Sequence, residues 1–284
     1  MIAFDDGVNH FNNKEFNLLS EILYEHLTLN SKNFEDLLKL GAIYVNNERQ
    51  VKDKFIAENS SFRVHTKPRR YNCAYPWSSL IIFENDFFLV LNKPSGVPSH
   101  PSVDNAVEDA LTQVSLARKF PLFVTHRLDT LTSGLIVYGK KQSFVKDFNM
   151  QMQHRNVRKK YVALIESTQN LPSKLTHYMD PGPGTPKKLS DQVTKDWPLC
   201  ELEILDQKQV SPKLSWVKLN LLTGRTHQIR SQLSHLHAPV SGDLLYGAKS
   251  AFQPNAIALR SCEIEFRHND KRMKFNISEE FSLS

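Results

Sequence analysis

Short apolar runs of strand length recur along the whole chain and constrain its fold more than any other feature. Examples are "FFLVL", "GLIVYG", "KKYVALIE", "LSWVKLNLL" and "AIALRSCEIEF". A few helical patterns lie between them, without a regular strand–helix alternation and without an internal repeat. This organisation predicts an α+β fold with a mixed, mainly antiparallel sheet.

The N-terminal part of the chain predicts a small α/β module of its own. Leucines at helical spacing indicate one or two helices over residues 14–40, and "AIYVNNERQV" predicts a hairpin that turns at Asn46 and Asn47. Residues 65–79 are polar and contain Pro68 and Pro76, which is typical of a linker. We therefore expect two domains, residues 1–72 and residues 73–284.

Periodicity also assigns the later elements. A second hairpin is expected around Glu84–Asp86, and helices are expected over residues 105–120, 141–155 and 226–237. Residues 167–211 are polar and yield no predicted element, and the composition of "DPGPGTPKK" within them is typical of a mobile loop.

Charge and cysteine usage bound the class of protein. The chain has 36 Lys and Arg against 30 Asp and Glu, and residues 1–80 are balanced, so the excess positive charge lies after Leu80. Such an excess indicates a polyanionic partner only weakly. Three widely spaced cysteines indicate neither a disulfide framework nor a thiolate metal site. The acidic start and the absence of a long apolar run predict a cytoplasmic protein without membrane association. We also expect a monomer.

The stretch "THRLDTLTSGLIVYGK", Thr125–Lys140, places charged residues directly before an apolar strand. Backbone amides and hydroxyls in the loop that ends at Gly134 can hold Asp129 ionised and directed outward. A capped turn beside a solvated arginine is the alternative, and it is the more common arrangement for a loop taken alone.

The stretch "TGRTHQIR", Thr223–Arg230, predicts an anion-binding helix start if Thr226 is the cap. Arg225 can then pair with a buried carboxylate or bind a phosphate. A surface helix with two solvated arginines is the alternative. His227 and His235 lie about two helical turns apart, too far to share a metal ion on a regular helix, so no metal site is predicted.

The densest basic cluster, "RNVRKK", lies directly before Tyr161. Phosphates on the cations and a base on the ring would suit a polynucleotide, but a solvated charge run and a core tyrosine fit equally well. Two loops are weaker candidates for a site. In "NKPSGVPSHP" we expect Lys93 and His100 to face outward, and in "SGDLLYG" we expect Asp243 and Tyr246 to be exposed.

Taken together, these stretches resemble the RluA-type RNA pseudouridine synthases. "NKPSGVPSHP", "HRLDTLTSGL", "KKYVAL", "TGRTHQIR" and "GDLLYG" occur in the family's order over roughly residues 80–270. The resemblance implies a mixed sheet with a central active-site cleft and an enzyme that flips uridines out of structured RNA and isomerises them. In that reaction the N1–C1′ bond breaks, the base turns, and the bond re-forms through C5. The resemblance implies no metal or organic cofactor.

The resemblance also assigns roles to residues. It implies that Asp129 is the catalytic aspartate, that Tyr161 stacks on the base and helps to remove the C5 proton, and that Arg225 pairs with the aspartate. Arg127 matches a residue that enters the RNA stack in place of the flipped uridine. The predicted RNA-binding residues are His126, Arg127, Arg155, Arg158, Lys159, Lys160, His227 and Arg230. The predicted pocket residues are Thr132, Leu221 and Leu222.

The N-terminal segment "LLKLGAIYVNNERQVKDKFIAENSSFRV" resembles an S4-type RNA-binding domain, which favours ribosomal RNA as the partner. A tRNA-directed synthase, and a non-catalytic RNA-binding or ribosome-assembly factor with the same fold, are the alternatives. A hydrolase that uses Asp129 would lack the second carboxylate that glycosidases need. The chemical route, by attack at C6, by attack at C1′ or through a glycal, is left open.

Overall fold

A computed structural model describes residues 7–249 and 251–281, which form two compact units. The smaller unit contains the described residues up to Tyr75 together with His100–Ala117. The larger unit contains Pro76–Ser99 and the described residues from Arg118 onward. The division predicted at residue 72 does not anticipate that His100–Ala117 packs with the smaller unit.

The smaller unit combines two helices with two small antiparallel sheets, in the strand orders β1-β6-β3-β4 and β2-β5. Its elements are β1 (Val8–Asn12), β2 (Asn17–Leu18), α1 (Leu19–His26), α2 (Ser31–Leu40), β3 (Ile43–Val45), β4 (Glu48–Gln50), β5 (Phe55–Ile56) and β6 (Ser61–His65).

Local signals in the sequence set the ends of α2 and the turn after it. The side chain of Asn30 caps the helix by accepting the N–H of Asn33, and Gly41 ends it with a left-handed backbone at φ 66°. Asn46 and Asn47 both have positive φ, as a tight turn between β3 and β4 requires. The predicted helices and hairpin are confirmed here.

The larger unit is built on one large sheet. Its elements are β7 (Ile81–Glu84), β8 (Phe88–Lys93), β9 (Phe123–Val124), β10 (Ser133–Gly139), α4 (Gln142–Gln153), β11 (Arg158–Ile165), β12 (Lys174–Met179), β13 (Leu189–Ser190), β14 (Leu199–Gln209), β15 (Ser215–Leu221), α5 (Gln228–His235), β16 (Leu259–His268) and β17 (Lys271–Asn276). Helix α3 (Ala110–Arg118) precedes β9 in the chain and is shorter than the predicted 105–120, and all of it except Arg118 belongs to the smaller unit.

The strand order of the large sheet is β13-β12-β14-β15-β11-β16-β10-β8-β7, with β9 paired to β10 and β17 to β16. Within the described residues, β10 and β16 form the one parallel pair, and they approach each other closely at Gly134, where φ is 108°. A Cβ at Gly134 would lie 2.2 Å from the carbonyl oxygen of Ser261. The predicted α+β fold with a mixed, mainly antiparallel sheet is confirmed.

Aromatic packing on one face of the sheet supports β10, the strand that follows Asp129 in the chain. Phe144 and Phe148 of α4 lie against Phe88 of β8 and Phe266 of β16, and all four rings are at most 2% exposed. Burial of each such ring stabilises the fold by roughly 1.5–3 kcal/mol. Strand β10 lies between β8 and β16 and is therefore held from both edges.

The structure corrects the interpretation of residues 167–211. Three strands, β12, β13 and β14, lie in this polar stretch, and "DPGPGTPKK" between β12 and β13 is irregular. In β14, Cys200 and Leu202 are buried and alternate with partly exposed glutamates. The alternation typical of a strand is therefore present, but the low mean hydropathy of the segment conceals it. No helix within the described residues is long and apolar enough to cross a membrane.

Candidate active site

A cavity of about 270 Å³ opens in the larger unit where the loop before β10, strand β11, the end of β15 and the start of α5 meet. The predicted residues that line it include Asp129, Tyr161, Leu221, Arg225, His227 and Arg230. Three stretches that are far apart in sequence therefore contribute to one pocket.

Buried groups fix the loop that carries Asp129. The hydroxyl of Ser99 donates to the carbonyl of Leu128 at 2.7 Å and accepts the N–H of the same residue at 3.0 Å. The fully buried ammonium of Lys93 donates to three backbone carbonyls, among them that of Thr130 at 3.3 Å. Burial lowers the pKa of Lys93 to about 7, and the charge of Asp129 opposes that change. The prediction that Lys93 faces outward is wrong, because carbonyls have replaced water around its ammonium.

Asp129 is paired with Arg230, in the first turn of α5. Nη1 of Arg230 lies 3.3 Å from Oδ2 of Asp129, while its Nε and Nη2 donate to the two carboxylate oxygens of Asp243 at 2.6 and 2.8 Å. The side chains of Arg230 and Asp243 are 4% and 1% exposed, whereas that of Asp129 is 21% exposed. Asp243 therefore orients the guanidinium, and Asp129 presents its carboxylate to the pocket.

The prediction that Arg225 pairs with Asp129 is wrong. Arg225 is exposed at the mouth of the pocket, and its backbone N–H donates to Oε1 of Gln228 at 3.0 Å. Because α5 begins at Gln228, Arg230 lies in its first turn and points inward, whereas Arg225 lies outside the helix.

The start of α5 also differs from the prediction that Thr226 is its cap. The N-cap is His227, which has a left-handed backbone at φ 58° and no side-chain cap. Its Nδ1 lies 3.0 Å from the hydroxyl of Tyr246, and its Nε2 lies 3.9 Å from Oδ2 of Asp129. Burial lowers the pKa of His227, although Asp129 opposes the change, so the ring is mainly neutral at pH 7.

Tyr161 forms a wall of the pocket from strand β11. It is 5% exposed and lies opposite Ser261 of β16. Burial raises the pKa of Tyr161, the hydrogen bond with Ser261 opposes this, and the charge of Asp129 adds to it. The phenol is therefore protonated at neutral pH.

The two leucine candidates separate onto different surfaces. Leu221 is 8% exposed and lines the pocket of Asp129 as well as a second cavity, whereas Leu222 lines the second cavity and not the pocket of Asp129. Thr132 is also buried at the pocket, and its hydroxyl has no hydrogen-bond partner among the described residues.

His126, predicted to bind RNA, has a structural contact instead. Its Nε2 accepts the backbone N–H of Val137 in β10 at 3.1 Å, and its ring stacks on Phe148. Burial, and then the charge of Lys159, lower the pKa of His126 to about 3. The imidazole is therefore neutral and cannot bind a phosphate as a cation.

Arg127 is exposed at the mouth of the pocket, where its Nη2 donates to the hydroxyl of Thr226 at 2.5 Å. This contact links the loop before β10 to the loop before α5. Among the residues that the structure describes, this hydroxyl is the one acceptor for the guanidinium, so its other donors have no partner there.

The basic cluster before Tyr161 divides between two faces of β11. Arg158 and Lys160 lie on one face, in ion pairs with Glu265 at 3.9 Å and Glu263 at 2.8 Å, and Arg155 pairs with a glutamate on β14 at 3.1 Å. Lys159 lies on the opposite face with Tyr161, and it lines the pocket. The sequence did not reveal that the outward cations have acidic partners.

One group of potential metal ligands lies outside the pocket. His177 and His235 both approach the exposed Asp191, at 3.5 and 2.9 Å. Buried Gln232 directs its amide nitrogen at Nδ1 of His177 and also at the carbonyls of β12 and β14, which fixes the orientation of that amide. Nδ1 of His177 therefore accepts from Gln232, and Nε2 is the ring nitrogen that faces Asp191 at 3.5 Å.

Asp243 and Tyr246 were expected to be exposed, but they are 1% and 5% exposed. Asp243 is buried because Arg230 neutralises it, and Tyr246 lies beneath the same guanidinium at 4.9 Å. The motif "GDLLYG" was a signal for the site, but its glycines were interpreted as the ends of a surface turn.

The family of the chain follows from comparison with known proteins. A family model described as RNA pseudouridylate synthase matches residues 87–235. This span includes Asp129, Tyr161 and Arg230. The chain therefore belongs to the RNA pseudouridylate synthases, and within them to the RluA type.

Individual relatives agree with this family. Over 208 residues the chain is 33% identical to the chloroplastic RNA pseudouridine synthase 6 of Oryza sativa subsp. japonica, which covers 65% of this chain and 43% of that protein. Over 213 residues it is 29% identical to the ribosomal large subunit pseudouridine synthase C of Buchnera aphidicola, and the match covers 71% of this chain and 67% of that protein. The chain spans less than half of the rice protein.

A solved structure has the same fold. The human RNA pseudouridylate synthase domain containing 1 superposes with a TM-score of 0.55 at 24% sequence identity, and the match covers 70% of this chain and 82% of that one. At this identity the likeness concerns the fold alone.

Proposed function

We propose that the chain isomerises uridine to pseudouridine in structured RNA, with Asp129 at the catalytic centre. The observation that carries the proposal is the carboxylate of Asp129, which faces a cavity beside the buried guanidinium of Arg230. An opposite charge at this distance stabilises the ionised form of a carboxylate that is partly removed from water. A pure binding protein for a polyanion gains nothing from an acid at such a position.

The reaction requires the base to leave the RNA helix before Asp129 can reach it. Extrusion costs a few kcal/mol, which contacts in the pocket must offset. We assign to Arg127 the filling of the gap that the uridine leaves, and its exposed position at the pocket mouth supports this. The ring of Tyr161 offers the base a stacking surface worth roughly 1–3 kcal/mol.

The proton balance of the isomerisation fits a protonated Tyr161. The N1–C1′ bond breaks, C5 bonds to C1′, and the proton on C5 is lost while N1 gains one. The raised pKa of Tyr161 makes its phenol a poor base, so we assign to it the support of the base through its ring. Burial lowers the pKa of His227, and its Nε2 lies 3.9 Å from Oδ2 of Asp129, which is longer than a hydrogen bond, so we assign it no bond to that carboxylate.

Ribosomal RNA is the proposed substrate class, with tRNA as the alternative. The support is the name of the Buchnera relative, a ribosomal large subunit pseudouridine synthase. We also propose that the smaller unit is S4-like and contacts RNA, on the basis of two helices followed by a hairpin. Neutral composition in residues 1–80 makes that contact a weak one.

The proposed function is tested with total RNA from cells that lack this gene, labelled with tritium at C5 of uracil. Pseudouridine formation replaces the C5 hydrogen, so turnover releases tritium to water. The wild-type chain should release it, and Asp129→Asn should not, with unchanged circular dichroism and unchanged retention of RNA on filters. Wild-type release by Asp129→Asn would exclude the proposed role of Asp129. No release by the wild type on this RNA, despite RNA retention, would favour a non-catalytic binding factor.

A further inference from the structure

Lys159 differs from two other buried cations, Arg230 of the pocket and Lys93 beside the Asp129 loop, because the described residues offer it no partner. It is 7% exposed, and within residues 7–249 and 251–281 no acceptor or carboxylate lies at hydrogen-bonding or ion-pair distance from its ammonium. Arg230 has two carboxylates and Lys93 has three carbonyls. An unpaired ammonium in such a place is costly, and that cost is offset if a ligand supplies the missing acceptor.

Lys159 lies on β11 two residues before Tyr161. Residues two apart on a strand face the same side and lie roughly 6.6 Å apart, so Lys159 and Tyr161 both face the pocket. Asp129 influences the pKa of Tyr161, whereas burial alone lowers the pKa of Lys159, to about 8. Asp129, Tyr161 and Lys159 all line the same pocket, and Lys159 is mainly protonated at pH 7.

The loop before α5 leaves room for this ammonium. A Cβ placed on Gly224 would lie 3.2 Å from Nζ of Lys159. Gly224 does not have a positive φ, so its backbone conformation is open to other residues. A larger residue at this position would instead take up the space beside the ammonium of Lys159.

We propose that Lys159 recognises the C4 carbonyl of the extruded uracil and so selects uracil over cytosine. The inference rests on the proposed function, which places the glycosidic bond at Asp129 and the ring at Tyr161. The C4 carbonyl lies across the ring from N1, so with N1 at Asp129 it reaches a different part of the pocket wall, and we assign Lys159 to it. Lysine can only donate hydrogen bonds. Uracil offers an acceptor at this position, whereas cytosine offers an amino donor.

A phosphate is the less favoured partner for Lys159. A phosphodiester in an RNA chain continues in both directions and needs an open surface, whereas Lys159 is more than nine-tenths buried. Exposed cations for phosphates are present at the mouth of the pocket in Arg127 and Arg225.

The test measures the binding of fluorescein-labelled pentauridylate and pentacytidylate to the full chain by fluorescence anisotropy. The wild type should prefer pentauridylate, and Lys159→Met should reduce that preference by about 10- to 100-fold, the value of a hydrogen bond to a charged group. Gly224→Ala should reduce it less, because the added methyl group displaces the ammonium only slightly. Lys218→Met on β15 is the matched control, since Lys218 pairs with Glu279 and does not line the pocket.

The outcomes separate this inference from the proposed function. An unchanged preference in Lys159→Met, or a wild type without any preference, would overturn the role of Lys159. An equal loss for both oligonucleotides would mean that the lysine binds a phosphate, which also overturns it. Tritium release by the wild type is measured in parallel. If the proposed function is wrong, no tritium is released, whereas the role of Lys159 is judged from the ratio of the two affinities. Thermal unfolding checks that Lys159→Met is folded.

Discussion

Replacement of Arg230 by methionine gives the sharpest test of the arrangement around Asp129. The variant removes a buried guanidinium from two carboxylates and leaves Asp243, which is 1% exposed, without a partner. Removal of one partner from a buried ion pair costs about 3–5 kcal/mol, because the remaining charge is not solvated. Arg225→Met is the matched control at an exposed position, where substitutions usually stay within about 0.5 kcal/mol.

Urea unfolding, followed by circular dichroism, measures the two stabilities, and tritium release from C5-labelled RNA measures the activities. Arg230→Met should unfold at lower urea and lose turnover, since Asp129 loses the adjacent positive charge. Arg225→Met should keep the stability and lose mainly RNA affinity. The reverse result, with Arg230→Met near wild type in both measurements, would refute the pairing and restore Arg225 to its predicted role.

A double variant separates support of the fold from support of the reaction. Arg230→Met with Asp243→Leu no longer contains an unpaired buried carboxylate, so it should recover part of the lost stability. It should not recover turnover, because Asp129 still lacks its cation. Recovery of turnover in the double variant would mean that Arg230 stabilises only the loop around Asp243.

Three further substitutions test other parts of the site. Lys159→Met should raise the free energy of unfolding by about 3 kcal/mol at pH 7, since burial lowers the pKa of Lys159 from 10.5 to about 8 and each pKa unit is worth about 1.36 kcal/mol. The wild type bears the full cost of the buried ammonium below pH 8 and none of it above pH 10.5. Urea unfolding at several pH values should therefore show the free energies of unfolding of wild type and Lys159→Met converge between these two pH values. Tyr161→Phe should lose less than tenfold in tritium release, because the ring remains; a loss as large as that of Asp129→Asn would assign chemistry to the hydroxyl. Gly134→Ala should unfold the catalytic loop, since its Cβ would meet the backbone of Ser261 at 2.2 Å, and a wild-type melting temperature would contradict this close approach.

The fold was predictable where the sequence alternates with a clear period or carries a cap. Asn30 and Gly41 delimit α2, and the turn at Asn46 follows from its preference for positive φ. Strand β14 was missed because its exposed positions are charged and its buried positions include a cysteine, so the average hydropathy hides the alternation. The return of His100–Ala117 to the smaller unit depends on contacts between distant segments, which a local pattern does not contain.

The pocket was predictable as a set of motifs, but not in its pairings. The motif "TGRTHQIR" contains two arginines, and which of them reaches Asp129 depends on where α5 begins. A helix start at Thr226 would have rotated the first turn, whereas the left-handed backbone of His227 delays it and directs Arg230 inward. The exposure of Lys93 was also misjudged, because three carbonyls from a folded loop replace its water shell.

Three buried cations at or near the pocket differ in the groups that neutralise them, and this difference indicates a separate role for each. Lys93 is satisfied by backbone carbonyls and fixes the loop that carries Asp129, which needs no ligand. Arg230 is shared between Asp243 and Asp129, so its charge is balanced before RNA arrives. Lys159 is the one of the three without a partner in the described part of the chain, and it lines the space for the base. A neutral carbonyl can accept from it without adding a second negative charge next to Asp129, which is why an uncharged base edge suits this pocket better than a phosphate.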